Sequence, residues 1–306
     1  MFDIIIIGSG PAGYTSGLYS GRANMKTLLL EGDMPGGQLT TTTDIENFPG
    51  FKAIEGYELM ENMKEQAEHN GCLCVNETAI NIEKKDKHFE IKTNKNTYAT
   101  KTIILSMGAS AKKMEFKGSD TYWNKGISAC AVCDGALPIF RRKTLVVIGG
   151  GDSAMQEATF LSRFASKVII LVRSNKLRAS QAMINKAEAN PKIEILYNHQ
   201  IKEACGDDLI KKIIVRNNDK DYEIECSGLF YAIGHTPNTD LVKDLVELKE
   251  NKYIKRQDYS TRTSVEGIFA AGDIMDDVYK QAITAAGSGC MASLDAIHYL
   301  ESFSVS

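Results

Sequence analysis

A glycine-rich turn between a buried strand and a helix is the feature that most limits how this chain can fold. Residues 2–7 form a short apolar run rich in isoleucine, which is typical of a buried parallel strand. The run leads into the sequence GSGPAG at residues 8–13. In this pattern the first glycine allows a tight bend, the second lets the backbone approach a pyrophosphate, and the third lets the helix pack on the sheet. The sequence therefore predicts a dinucleotide site whose diphosphate lies at a helix N-terminus.

An acidic residue completes this first pattern. The helix is predicted to run to about Ala23, and residues 26–30 form a second strand that ends at Glu31. A carboxylate at that position can accept hydrogen bonds from the ribose hydroxyls of an adenine dinucleotide. A glycine-rich turn without a ligand is the alternative, but the order of strand, glycines, helix, strand and acid favours the nucleotide site.

A second module of the same kind begins at residue 144. Residues 144–148 are predicted as a strand, the sequence GGGDSA at 149–154 as the turn, 155–165 as the helix and 167–172 as the next strand. Two such modules predict an α/β fold with two Rossmann-like nucleotide-binding domains. The length of 306 residues agrees, because it exceeds what one ordinary hydrophobic core contains.

The second module ends in a cation where the first ends in an acid. Arg173 follows its second strand, and Arg178, five residues later, is predicted to begin the next helical stretch. Guanidinium groups at this position suit the 2′-phosphate of NADP(H), and no acid is present there to bind the bare ribose of NAD(H). A pair of surface arginines without a ligand is the alternative that this spacing leaves open.

A pair of cysteines precedes the second module. Cys130 and Cys133 enclose the sequence CAVC, and Asp134 follows directly. Cysteines at this spacing can close a small disulfide ring at the start of a helix, where the dipole favours a thiolate over a thiol. Asp134 is placed to exchange a proton with the leaving sulfur. Zinc sites also use this spacing, but the sequence offers no second pair of ligands at zinc spacing.

Composition and charge exclude several classes of protein. The content of 43% hydrophobic and 25% charged residues is that of a soluble globular protein, and the net charge of -3 argues against a general nucleic-acid binder. No apolar run approaches the roughly 18 residues of a membrane span. Residues 1–8 enter a strand directly, so no signal peptide is expected. Seven cysteines, an odd number, fit a reduced protein with one working disulfide, and we expect a cytoplasmic location.

Four further segments surround the predicted sites. Residues 40–50 begin with the threonines Thr40 to Thr43 and predict a polar loop, either functional or simply solvated. Residues 55–70 predict an amphipathic helix. Residues 267–273 predict a strand that delivers Asp273 to its carboxyl end, where ligands bind in open α/β sheets. A last helix over residues 281–300 contains small residues that permit close approach of a ligand or of a neighbouring helix.

Six motifs occur in an order that resembles one known family. They are Gly8 to Gly13 (GSGPAG), Gly36 to Thr40 (GGQLT), Glu46 to Gly50 (ENFPG), Cys130 to Gly135 (CAVCDG), Gly149 to Ala154 (GGGDSA) and Ala270 to Asp273 (AAGD). Together they resemble the low-molecular-weight thioredoxin reductases, and they span nearly the whole chain. The most specific of them is the CxxCD motif placed just before the second glycine-rich turn.

The resemblance implies a domain organisation and a set of site residues. It implies an FAD domain split in sequence into residues 1–110 and 240–306, an NADPH domain inserted over 111–239, and a homodimer. The residues implied to bind FAD are Gly8, Gly10, Pro11, Ala12, Gly13, Glu31, Gly32, Gly36, Gly37, Gln38, Leu39, Asn47, Gly272, Asp273, Lys280, Gln281 and Ala282. Those implied to bind NADPH are Gly149, Gly151, Asp152, Ser153, Arg173 and Arg178.

The resemblance also implies a function. Electrons pass from NADPH to FAD, then to the redox pair Cys130 and Cys133 with Asp134 as the acid, and finally to the disulfide of thioredoxin. The family implies that the inserted domain rotates, because the pair must meet the flavin and the external partner in turn. Three alternatives stay open: a reductase of this fold that prefers NADH, one that reduces another disulfide, and a non-catalytic flavin- or metal-binding sensor.

Two residues depart from the pattern of the family. Ser174 follows Arg173 where relatives commonly place a second arginine, so one phosphate-binding cation is missing. Lys280 stands where the family commonly has arginine. The lysine keeps the positive charge but cannot donate the two parallel hydrogen bonds of a guanidinium group. We therefore expect a preference for NADPH that is weaker than the family norm, whereas FAD binding is expected to be retained.

Overall fold

The chain folds into two compact units that divide it unequally. The first unit contains Met1–Ser110 and Thr236–Ser306, and the second unit contains Ala111–His235. The computed structural model describes residues 1–42 and 44–302. Thr43, which belongs to the predicted polar loop, lies outside the described residues.

The helices and strands follow the predicted α/β pattern. The α-helices are α1 (Pro11–Arg22), α2 (Gly56–His69), α3 (Ala131–Asp134), α4 (Asp152–Leu161), α5 (Gln181–Glu188) and α6 (Ala282–Ser302). The strands are β1 (Phe2–Ile7), β2 (Thr27–Leu30), β3 (Asp44–Ile45), β4 (Ile54–Glu55), β5 (Leu73–Val75), β6 (Ala79–Lys84), β7 (Phe89–Thr93), β8 (Thr97–Leu105), β9 (Ala109–Ala111), β10 (Ile127–Ser128), β11 (Thr144–Ile148), β12 (Lys167–Val172), β13 (Ile193–Tyr197), β14 (Gln200–Gly206), β15 (Ile210–Asn217), β16 (Lys220–Glu225), β17 (Gly228–Tyr231), β18 (His235–Pro237) and β19 (Ile268–Ala270).

A largely parallel sheet forms the centre of the first unit. Its strands lie in the order β5-β2-β1-β8-β7-β6, and β19 pairs with β8. Ile5 of β1 pairs with Leu28 on one side and with Ile103 on the other, and all three are fully buried. Continuous apolar strands are expected in a parallel sheet, because helices cover both of its faces. The predicted strand over residues 2–7 is confirmed.

The second unit repeats this architecture around its own parallel sheet. The strand order is β10-β17-β11-β12-β13, and a separate antiparallel sheet contains β14, β15 and β16. Strands β11 and β12 run parallel, with Leu145 paired to Val168. The predicted α/β class is therefore confirmed. Among the helices of the described residues, none combines the length and the apolar composition that crossing a bilayer requires.

Three local predictions were wrong. Helix α4 begins at Asp152 instead of residue 155, since the turn ends at Gly151 and a carboxylate is favourable in the first turn of a helix. Arg178 does not begin a helix, because α5 starts at Gln181. The polar stretch 40–50 is only partly a loop, because its strand β3 pairs with β4 and buries Ile45.

Small residues let α6 pack closely on α1. A Cβ atom on Gly289 would lie 2.2 Å from the backbone oxygen of Ala12. Ser16 Oγ donates a hydrogen bond to the Gly289 carbonyl over 3.0 Å, and Ser20 and Ser293 share a hydroxyl contact of 2.9 Å. Here the small residues of the last helix serve a neighbouring helix. The contact brings α6 against Ala12, near the end of the first glycine-rich turn.

Two glycines of α6 make this packing testable. We expect Gly289→Ala to lower the free energy of unfolding by about 1–3 kcal/mol, because the added methyl group must displace backbone. Gly287→Ala is the matched control, because no described atom lies within 4 Å of a Cβ there. Alanine is the better helix former by up to about 1 kcal/mol, so this variant should be as stable as the wild type or more so. Chemical denaturation of both variants measures the difference, and equal stabilities would contradict the proposed close contact.

Candidate active site and nucleotide sites

The first glycine-rich turn has the shape that a diphosphate needs. Gly8 has a φ of +106°, and a Cβ atom there would lie 2.5 Å from the Ser106 carbonyl oxygen. A Cβ on Gly13 would lie 1.9 Å from the Gly8 oxygen. Gly10 differs, because no described atom lies within 4 Å of its Cβ position. The open side of the turn thus faces the N-terminus of α1, where backbone N–H groups attract an anion.

Glu31 is a buried carboxylate held from two sides. Its side chain lies at the end of β2 in a residue that is only 5% exposed. Tyr14 Oη donates to Glu31 Oε1 over 2.8 Å, and Lys64 Nζ forms an ion pair with the same oxygen at 2.9 Å. Burial opposes the charged form of Lys64, but the bond to Glu31 prevails and raises the lysine pKa. The sequence reasoning missed Tyr14 and Lys64, since no local pattern links a helix residue to this acid.

Ser9 joins the turn to the loop that follows β2. Its hydroxyl donates to the Glu31 carbonyl over 2.8 Å and accepts from the Gly36 N–H over 3.0 Å. Gly36 and Gly37 have φ values of +83° and +67°, which glycine adopts without strain. A Cβ on Gly37 would lie 3.6 Å from Gly10 Cα. The predicted pair of glycines therefore lies against the open side of the first turn.

The C-terminal segment reaches the same turn. A Cβ on Gly272 would lie 2.9 Å from the Ala12 Cβ, so the start of the Asp273 segment abuts the first turn of α1. Asn47 Nδ2 donates to Gln281 Oε1 over 3.5 Å. Two predicted residues that are distant in sequence are thereby brought together.

Five further predicted residues of this site lie in the segment after β2 or near the start of α6. Gln38 donates from its amide to the Ala109 carbonyl. Lys280 donates from Nζ to the Asp277 carbonyl over 2.8 Å. Gly32 and Leu39 lie in the segment between β2 and β3, and Ala282 is the first residue of α6.

Asp273 lies in an environment that opposes its charge. Burial and the nearby Asp276 carboxylate raise its pKa to about 6, and Lys280 opposes the shift. The usual value for this side chain is 3.8. A group shifted in this way is typical of a functional site, because an unliganded carboxylate in such a place destabilises the fold.

The cysteine pair closes a disulfide at the start of a one-turn helix. Cys130 and Cys133 are joined by an S–S bond of 2.05 Å, and Cys130 caps α3. The Cys133 N–H donates to Cys130 Sγ over 3.1 Å. Because α3 has only four residues, this direct hydrogen bond favours negative charge on the sulfur more than a helix dipole does.

Asp134 and Ser128 complete the surroundings of the pair. Burial raises the pKa of the Asp134 carboxyl, and a hydrogen bond from Ser128 lowers it in part. The Ser128 hydroxyl also accepts the Cys130 N–H over 3.0 Å. A carboxyl with a raised pKa can hold a proton and release it to a leaving thiolate. Ser128, on β10, is a residue that the sequence reasoning missed.

The second glycine-rich turn is covered by the loop that follows β12. Gly149 has a φ of +152°, and a Cβ there would lie 2.6 Å from the Ala232 oxygen. The Arg178 N–H donates to the Gly150 carbonyl over 2.6 Å. The Asp152 carboxylate accepts the Ser180 N–H over 2.7 Å, which fixes the end of the same loop.

Two cations of this loop are free to bind an anion. The side chains of Arg173 and Arg178 are exposed, and neither forms an ion pair with any residue in the ranges 1–42 and 44–302. No described atom lies within 4 Å of a Cβ on Gly151, which caps α4. Ser153 is exposed in the first turn of that helix. The arrangement suits a phosphorylated ligand with a second phosphate near the arginines.

A zinc site receives no support from the described residues. The parts of the chain that the structure describes contain no group of three or more histidine, cysteine or acidic side chains that could hold a metal ion. The disulfide also occupies both sulfurs that zinc would need as thiolates.

Comparison with known proteins identifies the family. Residues 2–289 match the family described as pyridine nucleotide-disulphide oxidoreductase. Thioredoxin reductase 1 of Saccharomyces cerevisiae is 53% identical, with 98% of each chain covered. The thioredoxin reductase of Chlamydia trachomatis is 47% identical and covers 97% of this chain and 98% of its own. The structure of the Giardia duodenalis thioredoxin reductase superposes with a TM-score of 0.93 at 42% identity, covering 98% of this chain and 99% of its own. The chain therefore belongs to the pyridine nucleotide-disulphide oxidoreductase family and, within it, to the low-molecular-weight thioredoxin reductases.

Proposed function

We propose that this chain passes electrons from NADPH through FAD and the Cys130–Cys133 disulfide to oxidised thioredoxin. The observation that carries the proposal is the disulfide at the start of α3, which Asp134 follows directly in the same helix, with a carboxyl pKa that burial raises. A redox pair of this kind needs a source of electrons, and the two glycine-rich turns provide room for two dinucleotides. The names of the relatives supply the acceptor, thioredoxin.

The two turns are assigned to different cofactors by their charge. We assign FAD to the domain formed by residues 1–110 and 240–306, because Glu31 can accept bonds from ribose hydroxyls. NADPH is assigned to the inserted domain over residues 111–239, because Arg173 and Arg178 have no ion-pair partner among the described residues. The fit of both groups rests on the open positions at Gly10 and Gly151.

The side chains of the chain perform the binding and the proton transfer. When bound, FAD and NADPH supply the hydride and electron transfer that reduces the Cys130–Cys133 disulfide to a dithiol. The N-terminus of α1 holds a diphosphate, and Glu31 and Asp273 orient sugar hydroxyls. Asp134 gives a proton to the cysteine thiolate that leaves when the Cys130–Cys133 bond breaks, and it takes up a proton when that bond forms again.

The external step is a thiol–disulfide exchange. One thiolate of the reduced pair attacks a sulfur of the thioredoxin disulfide, which forms a mixed disulfide and releases the other thioredoxin sulfur as a thiolate that takes up a proton. The second cysteine then attacks the mixed disulfide. The Cys130–Cys133 bond forms again, and thioredoxin leaves as a dithiol.

We further propose that the chain forms a homodimer and acts in the cytoplasm. The homodimer is supported by the resemblance to the family, and sedimentation at twice the mass of one chain would verify it. Five cysteines outside the disulfide, Cys72, Cys74, Cys205, Cys226 and Cys290, fit a reducing compartment. Three relatives are named as mitochondrial, so recovery of the protein in an organelle fraction would refute the cytoplasmic assignment.

The first prediction concerns the redox pair. Replacing Cys130 and Cys133 with serine should abolish thioredoxin reduction, while NADPH still bleaches the flavin absorbance, because flavin reduction precedes the disulfide. Cys205→Ser is the matched control, since this free cysteine lies in the same unit and should keep full turnover. Turnover with candidate thioredoxins and anaerobic flavin spectra measure the two steps. Normal turnover of the double variant would overturn the proposed relay.

The second prediction concerns Asp273. Its raised pKa, about 6 against 3.8, means that the flavin-free folded protein binds this proton more tightly than the unfolded chain. The contribution of this proton to the free energy of unfolding is fully present below about pH 4 and is lost as the pH rises through about 6. Asp273→Asn should therefore make the flavin-free protein at least as stable as the wild type above about pH 6. The same variant should purify with little FAD, because a hydrogen bond from a hydroxyl to a charged acceptor is lost, worth about 1.5–3 kcal/mol.

A neighbouring acid supplies the control for that prediction. Asp277 pairs with Lys249 at 2.7 Å, and the hydrogen bonds from Lys249 and Asn251 outweigh burial and lower its pKa. Asp277→Asn should lose stability above about pH 4 but retain flavin. Melting temperatures across this pH range and the flavin content per chain are the measurements. Full flavin occupancy in Asp273→Asn would refute its assignment.

The third prediction concerns the nicotinamide cofactor. Arg173→Ala and Arg178→Ala should each raise the KM for NADPH about tenfold or more and leave that for NADH nearly unchanged, because a charge-assisted phosphate contact is lost. Ser174→Arg should sharpen the preference. Arg256→Ala, an exposed arginine of the first unit, is the control. A wild-type catalytic efficiency that is higher with NADH would rule out the 2′-phosphate site.

A further inference from the structure

The turn after β13 holds the backbone of Arg173 on both sides. The His199 N–H donates to the Val172 carbonyl over 3.0 Å, and the Asn198 N–H donates to the Ser174 carbonyl over 3.2 Å. Asn198 has a φ of +61°, which lets consecutive N–H groups point to the same neighbouring segment. This turn therefore anchors the backbone on both sides of Arg173.

The His199 side chain fixes the turn in place. The residue is only 7% exposed. Its Nδ1 atom lies 2.6 Å from the Tyr197 carbonyl oxygen, which can only accept, so Nδ1 carries the proton. The Tyr222 hydroxyl lies 2.6 Å from Nε2 and can donate a hydrogen bond to it, and the Asn217 amide lies 3.1 Å from the same atom. The two rings meet edge to face, with centroids 5.7 Å apart.

These contacts join two sheets at a corner. Tyr197 ends β13 of the parallel sheet, His199 precedes β14, and Tyr222 lies on β16 of the antiparallel sheet. The histidine thus connects the antiparallel sheet to the loop that bears Arg173.

The backbone at Arg178 is held by a different set of hydrogen bonds. Its N–H donates to the Gly150 carbonyl, and Asp152 fixes Ser180 two residues later. A change at His199 should therefore disturb one arginine and spare the other. Moving Arg173 should lower the affinity for the ligand measurably. Ser174 is uncharged, so Arg173 and Arg178 are the two cations that contact the phosphate in this proposal.

We propose that His199 and Tyr222 are positioning residues for the ligand's 2′-phosphate and act through Arg173. The inference rests on the proposed use of NADPH. A long exposed side chain whose ligand contact depends on direction loses affinity when its backbone shifts by a fraction of an ångström. Both residues act through the backbone at Arg173, so neither is a catalytic residue.

Binding of two nucleotide fragments to the flavin-loaded protein tests the proposal. The probes are adenosine 2′,5′-bisphosphate and adenosine 5′-monophosphate, titrated by calorimetry. Tyr222→Phe and His199→Phe should raise the Kd of the bisphosphate about two- to tenfold, as expected for the loss of one or two neutral hydrogen bonds. The Kd of the monophosphate should stay within error. His199→Asn, whose amide can still donate to the Tyr197 carbonyl, should recover part of the affinity.

A matched control separates positioning from general stability. Tyr122 Oη donates to the Gly206 carbonyl over 2.7 Å, at the far end of β14. Tyr122→Phe loses one tyrosine hydrogen bond in the same unit and should leave both Kd values unchanged. Because Tyr222 is half-exposed, Tyr222→Phe keeps the test valid if His199→Phe fails to fold.

The outcomes distinguish this inference from the proposed function. If the Tyr222→Phe variant weakens both ligands equally, or neither, the positioning role is overturned. If the wild type binds the bisphosphate no more tightly than the monophosphate, the NADPH assignment itself fails. A selective loss for the bisphosphate in Tyr222→Phe, absent in Tyr122→Phe, supports both.

Discussion

The close approach of α6 to α1 is the constraint on which the first nucleotide site depends. Gly289 has no side chain where its helix meets the Ala12 carbonyl, and Gly272 abuts the same alanine. Segments that are far apart in the sequence therefore meet at the N-terminus of α1. The contact at Gly272 brings the residue that precedes Asp273 against the first turn of this helix.

Charge distinguishes two turns that share one backbone design. At the first, a buried carboxylate is stabilised by Tyr14 and Lys64, which offset its desolvation. At the second, exposed arginines without an ion-pair partner in the described chain follow β12. If each turn binds a diphosphate as we propose, the residue at the end of the second strand distinguishes the two nucleotides.

Much of the fold could be predicted because its signals are local. The apolar runs of β1 and β12 and the spacing of the glycines each lie within a few residues. The errors also have local causes. The helix beginning at Asp152 was placed three residues late, since its polar first turn resembles a loop. Strand β3 was missed because it has only two residues, and its buried side chain, Ile45, packs on Ile54 and Leu59 from later in the chain.

Local sequence patterns were enough to predict the α/β class, the two glycine-rich turns, the redox spacing of Cys130 and Cys133, and the acid at one turn against the arginines at the other. The packing of the folded chain was needed to show which distant side chains hold these groups. Lys64 pairs with Glu31, Asn47 meets Gln281, and His199 supports the loop of Arg173. Hydrophobic periodicity and the φ angles of glycines reflect interactions within a single turn or strand. Contacts between remote segments depend on how whole elements pack, which no local pattern encodes.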